Sequence, residues 1–551
     1  MKPYALYETD CYPDFAAMLH GVASKYGEAT ALTWYSRRGE PCSVSYQQLC
    51  RDAFRAAAVL HVLGLDGRHV ALVGENSYEW LIGFFGIMLR GGVAVTIDIE
   101  QSVQTIHEMI AGADTQAMIV SPSMAEICRP LTQADGPVCK LLLTEPLTGA
   151  TEPNLRELCA MVEDAAAEAL APLAVERDAL SILVYTSGTT STSKPVMLTQ
   201  AGMLQNAGEC VAMIQPCPKI FTALPLYHAY GLSCAVLANL INGVNVGLNG
   251  NLKTMLRDLQ AFQPGSMMAV PLMVETLHKM LWTGIEKAGR KKAVSWLVGW
   301  VRRLDRLGLP VQSKKLRQIK RMGLGELSSI ACGGAHLSRE ITEDLKAFGL
   351  LVLEGYGITE CSPLIAVNRN QLYRFASVGQ VLPGFALTIR EGEILVKGDA
   401  VMRGYYKRPE ETAEAFDGEG WFKTGDLGYQ DDKGFLYITG RKKNLIVLKN
   451  GKKISPEEIE EKLLRIPIIR EVVAYGATSG ASADDVKLAI MVYPDPAQTQ
   501  HMTSYEILEH LQKEVDTLNQ GLPAYKQIQM INIREEEFSK TSSRKIKRQT
   551  I

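Results

Sequence analysis

Residues 181–198 read SILVYTSGTTSTSKPVML, an apolar β-branched run followed at once by a loop of small and hydroxyl-bearing residues that ends near Lys194. Backbone N–H groups, hydroxyls and one mobile ammonium together suit a polyphosphate. A solvated surface loop has a similar composition, but the position of Gly188 and Lys194 directly after a buried strand favours a phosphate-binding loop. The spacing is not that of a Walker loop.

Further apolar runs alternate with helical segments through the first three quarters of the chain, as in residues 69–74, 93–97 and 117–120. This alternation predicts parallel sheets covered by helices on both faces, and therefore an α/β fold. From about Val378 glycine punctuates the strands, which is typical of antiparallel hairpins or a small β-barrel. A further compact unit is expected to begin near Lys443, and S455-P-E-E458 predicts a helix start within it.

The composition argues against several classes of protein. Of the 551 residues, 47% are hydrophobic and 21% charged, as in a multidomain globular protein. The net charge is −2, so nothing indicates a nucleic acid partner. The 11 cysteines show no C-x-x-C spacing, which argues against a disulfide framework and a structural zinc site. The N-terminus lacks the basic and apolar regions of an export signal, so we expect a cytoplasmic protein.

Two glycine-containing motifs lie in the second half of the chain. In G355-Y-G-I-T-E360, Tyr356 offers a flat face for a purine, Thr359 a hydroxyl for a phosphate oxygen, and Glu360 a hard carboxylate for Mg²⁺. Upstream, C332-G-G-A335 lets the backbone approach a ligand closely, although a tight turn would use the same residues.

Two more motifs lie towards the C-terminus. Asp426 in T424-G-D-L-G428 can accept hydrogen bonds from both ribose hydroxyls, and Arg441 in G440-R-K-K-N444 can act from the other side or reach a phosphate. An isolated surface ion pair is the alternative. The basic run from Lys540 to Arg548 would by default be a solvated tail.

The order and spacing of these motifs resemble the adenylate-forming superfamily, which includes acyl-CoA synthetases, nonribosomal adenylation domains and firefly luciferase-like enzymes. The family's phosphate loop reads Y-T-S-G-T-T-G-x-P-K-G-V, and this sequence matches it from Tyr185 to Thr190 and at Lys194 and Val196. The resemblance covers nearly the whole chain. It implies an adenylation domain in residues 1–442, built of two doubly wound α/β subdomains plus a small β-barrel. A small, mobile α+β domain would occupy residues 443–551.

The resemblance also implies a role for each matching residue. The ATP phosphates would be held by Thr186, Ser187, Gly188, Thr189, Thr190 and Lys194. The adenine would contact Gly333, Gly334, Ala335, Gly355 and Tyr356, and the ribose would contact Asp426 and Arg441. The predicted catalytic residues are Thr359 at the α-phosphate, Glu360 as the Mg²⁺ ligand, and Lys545, which would bridge the acyl carboxylate and the α-phosphate.

Several residues depart from the family pattern, because Ser191, Ser193 and Pro195 replace glycine, proline and glycine, and Gln200 and Arg544 replace histidine and glycine. Pro195 fixes φ and removes an N–H beside Lys194, so we expect fewer phosphate contacts there. The alternative of another class is therefore a non-catalytic acyl- or nucleotide-binding protein.

By the same resemblance, one site would serve two half-reactions. A carboxylic acid is first converted to acyl-AMP with release of pyrophosphate. The C-terminal domain then turns about a hinge at or near Lys443 and presents a loop containing Lys449 and Gly451 to the thiol. The acceptor would be CoA or the pantetheine of an external acyl carrier protein. The interval between Glu360 and Lys423 is short for a ligase that serves carrier proteins, which favours CoA.

The substrate acid is inferred from L224-P-L-Y-H-A-Y-G231, which resembles the pocket wall of acyl-CoA synthetases. Tyr227, His228 and Gly231 are assigned to the acid, together with Gly357. The stretch lacks the aspartate that binds the ammonium of an α-amino acid in related enzymes, so an amino acid substrate is disfavoured. A fatty acid is the expected substrate.

Two segments bear on membrane contact. Residues 80–97 are the most apolar stretch, but Arg90, Gly91 and Gly92 interrupt them, so we expect a buried helix leading into a buried strand. Residues 279–321 interleave many basic residues with three tryptophans and resemble an insertion of long-chain fatty acyl-CoA synthetases. This segment is either a solvated helical surface or a peripheral contact with anionic lipid at the inner membrane face.

Overall fold

A computed structural model describes residues 4–133, 136, 138–186, 193–215, 217–309, 311–335, 337–448, 452–478, 486–540, 546 and 548. These residues form two compact units. The first contains residues up to 186, residues 193–386 and residues 396–422, and the second contains residues 387–395 and those from 423 onward.

The strands of the described residues are, in chain order, β1 (Thr30–Tyr35), β2 (Pro41–Ser45), β3 (His69–Val73), β4 (Val93–Ile97), β5 (Ala117–Val120), β6 (Lys140–Leu143), β7 (Ile182–Tyr185), β8 (Pro195–Leu198), β9 (Lys219–Thr222), β10 (Asn245–Leu248), β11 (Ser266–Ala269), β12 (Ser329–Cys332), β13 (Leu351–Gly357), β14 (Leu364–Val367), β15 (Gln380–Val381), β16 (Ala386–Arg390), β17 (Glu393–Lys397), β18 (Phe422–Gln430), β19 (Leu436–Arg441), β20 (Ile446–Val447), β21 (Lys453–Ile454), β22 (Ile469–Thr478), β23 (Val486–Pro494) and β24 (Met530–Ile533).

The α-helices of the same residues are α1 (Phe15–Tyr26), α2 (Tyr46–Val62), α3 (Tyr78–Leu89), α4 (Val103–Gly112), α5 (Ala125–Cys128), α6 (Leu155–Met161), α7 (Asp164–Ala169), α8 (Gln200–Met213), α9 (Ala238–Ile241), α10 (Met255–Phe262), α11 (Pro271–Lys287), α12 (Lys291–Arg306), α13 (Lys314–Leu324), α14 (Arg339–Ala347), α15 (Pro409–Ala415), α16 (Pro456–Leu463), α17 (Pro496–Thr499) and α18 (Ser504–Gln520).

Six strands of the first unit form a sheet in the order β6-β5-β3-β4-β7-β8. Neighbours are parallel except β7 and β8, which form an antiparallel hairpin. The chain runs from β3 to its neighbour β4 and then crosses to the other side of β3 to form β5. Because such crossovers are right-handed, this reversal places helices on both faces of the sheet.

Nine strands of the same unit form a second sheet in the order β15-β14-β13-β12-β11-β9-β10-β1-β2. Strands β9 to β13 are parallel and β1 joins β10 in parallel, whereas β2, β14 and β15 are antiparallel to their neighbours. The order in which strands are added also reverses here, because β10 lies on one side of β9 and β11 on the other. The predicted pair of α/β subdomains is therefore confirmed.

The most apolar stretch of the sequence forms α3 and β4, and every residue of both elements is buried. Ser77 caps α3 by accepting a hydrogen bond from the Trp80 N–H at 3.0 Å. Gly91 adopts a φ of 61° between the two elements. The expected buried helix leading into a buried strand is confirmed. Within the described ranges, no helix has both the length and the apolarity that a membrane crossing requires.

The basic segment forms helices α11, α12 and α13, which pack on an apolar cluster that includes Leu281, Val298 and Phe348. Trp296 and Trp300 are 71% and 46% exposed. Some of the basic residues are paired within the fold. The guanidinium groups of Arg302 and Arg306 on α12 form ion pairs with acidic side chains of α14. Part of the positive charge expected from the sequence is thus neutralised within the fold.

The second unit contains a four-stranded sheet in the order β16-β17-β18-β19, so the region predicted as a small β-barrel is an open sheet among the described residues. A separate three-stranded sheet, β22-β23-β24, shares an apolar core with α16 and α18. Helix α16 begins at Pro456, but the Ser455 hydroxyl donates to the Thr439 carbonyl at 2.8 Å and accepts no capping hydrogen bond from the helix. The domain boundary between residues 442 and 443 stays a prediction.

Candidate functional site

Strands β7 and β8 form the neck of the predicted phosphate loop, with Tyr185 opposite Pro195. The Thr186 N–H donates to the Lys194 carbonyl at 3.0 Å, and the Lys194 N–H donates to the Thr186 hydroxyl at 3.2 Å. The Ser193 hydroxyl also donates to the Thr186 carbonyl. These hydrogen bonds close the base of the loop. The predicted phosphate ligands within it, Ser187, Gly188, Thr189 and Thr190, lie outside the described residues.

The ammonium group of Lys194 is held by two side chains of the same unit. Its Nζ lies 2.6 Å from Oε2 of Glu411 and 4.7 Å from the ring centroid of Tyr405. The hydrogen bond from Lys194 lowers the pKa of the Glu411 carboxyl. The two members of the ion pair are 33% and 34% exposed, so dissolved anions can reach it.

Glu360 lies in a 3₁₀ turn, Thr359–Cys361, between β13 and β14. The Met402 N–H donates to the Glu360 carbonyl at 2.7 Å, which holds the backbone of the turn. The Tyr405 hydroxyl donates to Oε1 of Glu360 at 2.9 Å. Burial, followed by the charge of Glu360, raises the pKa of Tyr405 well above its ordinary range, so the hydroxyl remains a donor. Lys194 and Glu360 are predicted ligand-binding residues from separate motifs, and both contact Tyr405.

The two predicted adenine-binding motifs lie side by side at the carboxyl ends of the parallel strands β12 and β13. Gly334 has a φ of 96°, which favours glycine. A Cβ atom at Gly333 would lie 3.6 Å from the Gly355 carbonyl oxygen, so the two backbones are adjacent. At Gly357 a Cβ atom would lie 2.2 Å from the Pro363 carbonyl oxygen. Close approach of the chain to itself therefore explains this glycine, and its assignment to the substrate acid stays a prediction.

The predicted acid-binding stretch, residues 224–231, is fixed by hydrogen bonds from the six-stranded sheet and its loops. The Thr96 hydroxyl donates to the Tyr227 carbonyl at 2.9 Å, and the Asn76 amide donates to the Leu224 carbonyl at 2.8 Å. Tyr227 is buried, and burial followed by the charge of Asp98 raises its pKa above the ordinary range.

The ring of His228 lies edge-on to that of Tyr227, with 4.8 Å between the centroids. Gly231 follows, and a Cβ atom there would lie 2.1 Å from the Pro225 carbonyl oxygen, which only glycine avoids. A π-helix, Tyr230–Leu237, begins at this point. Such helices are rare and frequently mark functional sites, which supports the assignment of this stretch to a ligand.

In the second unit, Asp426 and Arg441 lie directly opposite each other on β18 and β19. Arg441 Nε lies 2.8 Å from Oδ1 of Asp426, whose side chain is only 4% exposed, whereas that of Arg441 is 40% exposed. The Asp426 N–H donates to the Thr424 hydroxyl at 3.1 Å, which holds the backbone within β18. The predicted ribose-binding pair is thus brought together, although each residue is the other's partner.

Of the remaining predicted residues, the hinge residue Lys443 is described, and three others are not. Lys443 belongs to a 3₁₀ turn, Lys442–Asn444. Its neighbour Lys442 pairs with Glu393 at 2.6 Å. The thiol-side residues Lys449 and Gly451 and the predicted adenylation lysine Lys545 lie outside the described residues.

Sequence comparisons place the chain in a family. The family model described as AMP-binding enzyme matches residues 19–406, and the one described as AMP-binding enzyme C-terminal domain matches residues 443–551. The chain belongs to the AMP-binding enzymes. The resemblance seen in the sequence motifs is therefore confirmed.

Relatives of this AMP-binding enzyme include a long-chain-fatty-acid–CoA ligase of Mycobacterium bovis, 30% identical over 492 residues that cover 83% of this chain and 81% of the relative. A chloroplastic long-chain-fatty-acid–[acyl-carrier-protein] ligase of Arabidopsis thaliana is 27% identical, with coverage of 89% and 78%. A solved anthranilate CoA ligase in complex with anthranoyl-AMP shares the fold, with a TM-score of 0.79, 18% identity and coverage of 100% and 97%.

The donor set of this AMP-binding enzyme fits a Mg²⁺ ion that arrives with its nucleotide. In the part of the chain that the structure describes, no group of three or more His, Cys, Asp or Glu side chains is gathered as a metal cage. Mg²⁺ is usually bound by one or two carboxylates together with substrate phosphates and water. Glu360 can supply such a carboxylate, with the Thr359 hydroxyl next to it in the same turn.

The sequence analysis missed two residues, Tyr405 and Glu411, that contact predicted ligand-binding residues. Both belong to the stretch R403-G-Y-Y-K-R-P-E-E411, in which a glycine precedes two tyrosines and a proline precedes two acids. The Pro-Glu-Glu run is also an ordinary helix start, and the structure has α15 there. The sequence therefore offers a local signal for the helix but none for contact with Lys194 or Glu360.

Proposed function

We propose that this AMP-binding enzyme uses ATP to activate a long-chain fatty acid as acyl-AMP and then transfers the acyl group to the thiol of CoA. The observation that carries the proposal is the arrangement of Lys194, Tyr405 and Glu360, which joins a cation and a hard carboxylate from separate segments of one unit. A triphosphate with its divalent cation requires both kinds of group.

The chemistry follows from the weakness of a carboxylate as an acyl donor, since its leaving group would be oxide. In the first half-reaction one carboxylate oxygen attacks the α-phosphorus of ATP, and the bond to pyrophosphate breaks as the new oxygen–phosphorus bond forms. Catalysis of such a transfer consists mainly of positioning and neutralisation of phosphoryl charge. We assign these tasks to Lys545, Lys194 and Thr359, and assign Glu360 to the metal, which supplies further charge neutralisation when bound.

In the second half-reaction the thiol sulfur of CoA attacks the acyl carbon, a thioester forms and AMP leaves. We propose that Lys443 is the hinge between the two half-reactions and that Lys449 and Gly451 face the thiol. Asp426 and Arg441 are proposed to hold the ribose, because a carboxylate has several lone-pair sites and can accept from a hydroxyl while it keeps its arginine.

The substrate class is supported by the stretch 224–231 and by relatives. Tyr227 and the apolar residues beside it are buried, and the stretch contains no acidic side chain that could bind an α-ammonium group. Relatives named as long-chain-fatty-acid ligases support a fatty acid. The carrier-protein ligase among them keeps acyl carrier pantetheine as the alternative acceptor.

Pyrophosphate release with a panel of carboxylic acids tests the proposal, with ATP and Mg²⁺ present and with or without CoA. Long-chain fatty acids should release pyrophosphate, and mass spectrometry should detect acyl-CoA only when CoA is added. A Glu360→Gln variant is the matched control because it keeps the size of the side chain and removes its charge. Absence of pyrophosphate release with every acid would support the non-catalytic binding protein instead, and product formed only on a carrier protein would support the alternative acceptor.

We also propose that the enzyme is cytoplasmic and makes a peripheral contact with anionic membranes through α12. Lys292, Trp296, Trp300 and Arg303 are exposed and share one helical face. A face that joins tryptophan with basic side chains suits the lipid interface, where each basic residue contributes about 1 kcal/mol at low salt. Other basic residues of this helix are committed to ion pairs within the fold.

Cosedimentation with anionic and neutral vesicles tests this contact. The parent should bind anionic vesicles at low salt, and the double change of Lys292 and Arg303 to glutamate should abolish binding. Charge reversal at the exposed residues Arg38 and Lys513 alters the net charge equally and is the control. Binding that is equal in both variants, or absent in the parent, would identify α12 as a solvated surface.

A further inference from the structure

Tyr405 lies between strand β8, which follows Lys194, and the 3₁₀ turn that contains Glu360. Its segment runs beside β8, where the Met197 N–H donates to the Gly404 carbonyl at 2.9 Å and the Tyr406 N–H donates to the Pro195 carbonyl at 2.8 Å. On the other side, the Met402 N–H donates to the Glu360 carbonyl. The backbone of Tyr405 is therefore held on the phosphate-loop side and on the Glu360 side at once.

The two ends of the Tyr405 side chain contact different charged groups. The hydroxyl donates to Oε1 of Glu360 at 2.9 Å, and the ring lies 4.7 Å from Nζ of Lys194. Tyr405 itself is only 7% exposed, so its side chain is held within the fold at both contacts. A hydrogen bond to a carboxylate and a cation–π contact each restrict the charged side chain that they engage.

We propose that Tyr405 is a positioning residue that pre-organises Glu360 for Mg·ATP through its hydroxyl and Lys194 through its ring. The inference rests on the proposed function, because it takes Glu360 as the metal ligand and Lys194 as a phosphate ligand. By holding Oε1, the tyrosine limits the rotamers of the carboxylate before the nucleotide arrives. A group that is ordered in advance loses less conformational entropy on binding, so affinity rises without a new contact to the ligand.

The chain offers a matched pair of variants. Tyr405→Phe removes the hydroxyl that donates to Glu360 and retains the ring under Lys194. Tyr406→Phe removes the neighbouring hydroxyl, which donates to Oδ2 of Asp114 at 2.8 Å, away from the predicted ligands. Both changes remove one oxygen from a tyrosine whose hydroxyl donates to a carboxylate.

ATP affinity is measured by calorimetry for the parent and both variants, once with Mg²⁺ and once with a chelator. In Tyr405→Phe the gain in affinity that Mg²⁺ provides should fall about tenfold, equivalent to about 1.4 kcal/mol. Its affinity for metal-free ATP should be unchanged, because the ring under Lys194 remains. Tyr406→Phe should match the parent in both conditions. An unchanged Mg²⁺ gain in Tyr405→Phe, or an equal loss with and without Mg²⁺, would overturn the proposal.

Two further measurements keep the result interpretable. In a Glu360→Gln background, Tyr405→Phe should no longer alter the Mg²⁺ gain, and a persistent effect would contradict positioning through Glu360. Tyr405→Leu removes the ring as well and should weaken metal-free ATP binding about threefold. A Leu variant that binds metal-free ATP like the parent would refute the role of the ring. Failure of the parent itself to bind ATP would instead refute the proposed function.

Discussion

Glu343 offers a direct test of how the basic segment is held in the fold. Its side chain is 4% exposed and forms ion pairs with Arg302 at 2.8 Å, Arg306 at 2.5 Å and Arg339 at 2.8 Å. Burial alone would raise the pKa of this carboxyl, but hydrogen bonds from Arg306, Arg339 and Arg302 lower its pKa to about 2. We predict that Glu343→Gln destabilises the contact between α12 and α14.

The magnitude follows from the shifted pKa. A change from the ordinary value of 4.5 to about 2 favours the ionised form by about 3 kcal/mol, at about 1.4 kcal/mol for each pH unit. Removing one partner of a buried pair costs roughly 3–5 kcal/mol. Arg306 and Arg339 are 56% and 52% exposed and can regain water, so the lower end applies. We therefore expect a loss of about 3 kcal/mol at pH 7.

The pH dependence has a defined sign. Because the folded-state pKa lies below the unfolded value, the stabilisation is complete above about pH 4.5 and is lost as the pH falls towards about 2. The difference between parent and variant should therefore be constant from about pH 8 to about pH 5 and narrow below about pH 4.5. It narrows because protonation removes the same charge as the substitution.

Urea unfolding followed by tryptophan fluorescence measures the effect, since Trp282 packs on Phe348 of the same cluster with 5.8 Å between the ring centroids. Glu340→Gln is the control, because it removes an exposed carboxylate from the same helix. A stability loss equal to that of the control at pH 7, or a difference that changes between pH 8 and pH 6, would refute the reasoning.

Three further predictions concern the site. Lys545→Ala should abolish acid-dependent pyrophosphate release and leave thioester formation from pre-made acyl-AMP largely intact, and equal loss of both half-reactions would contradict its role. Asp426→Asn should weaken ATP binding by roughly 1.5–3 kcal/mol in calorimetry, because it removes a charge-assisted hydrogen bond, while far-UV circular dichroism stays unchanged. Glu411→Gln should raise ATP affinity by up to about fivefold, because an exposed ion pair of about 0.2–1 kcal/mol no longer competes for Lys194, and weaker binding would show that Glu411 positions the lysine.

The parts of the fold that could be predicted are those that depend on local sequence patterns. The buried helix and strand in residues 80–97 follow from an apolar run with Gly91 at its interruption, and the structure places both there. Strand β7 before the loop follows from a β-branched run beside hydroxyl-rich residues, whereas its antiparallel pairing with β8 was not predicted. The start of α16 at Pro456 follows from the fixed φ of proline.

The parts that could not be predicted depend on pairing between distant segments. Tyr405 reaches Lys194 and Glu360 only because residues 402–406 pair with β8 and with the turn after β13, and no local periodicity encodes that pairing. The same limit applies to the basic segment. Its charge was visible in the sequence, but Arg302 is neutralised by Glu343 and Asp344, which lie on a helix about 40 residues away.

The two ion pairs at predicted ligand-binding residues differ in how easily a nucleotide could break them. Lys194 and Glu411 are each about one third exposed, so water can solvate Glu411 when Lys194 turns to a phosphate. Asp426 is 4% exposed, so loss of its ion pair with Arg441 would remove a compensating charge from a buried carboxylate at high cost. A phosphate can therefore replace Glu411 as the ion-pair partner of Lys194. A ribose at Asp426 would instead add hydrogen bonds to the carboxylate while the ion pair with Arg441 is kept. In the proposed roles, we therefore expect phosphate binding at Lys194 to be sensitive to salt, because the competing ion pair is exposed. We expect ribose binding at Asp426 to depend more on geometry.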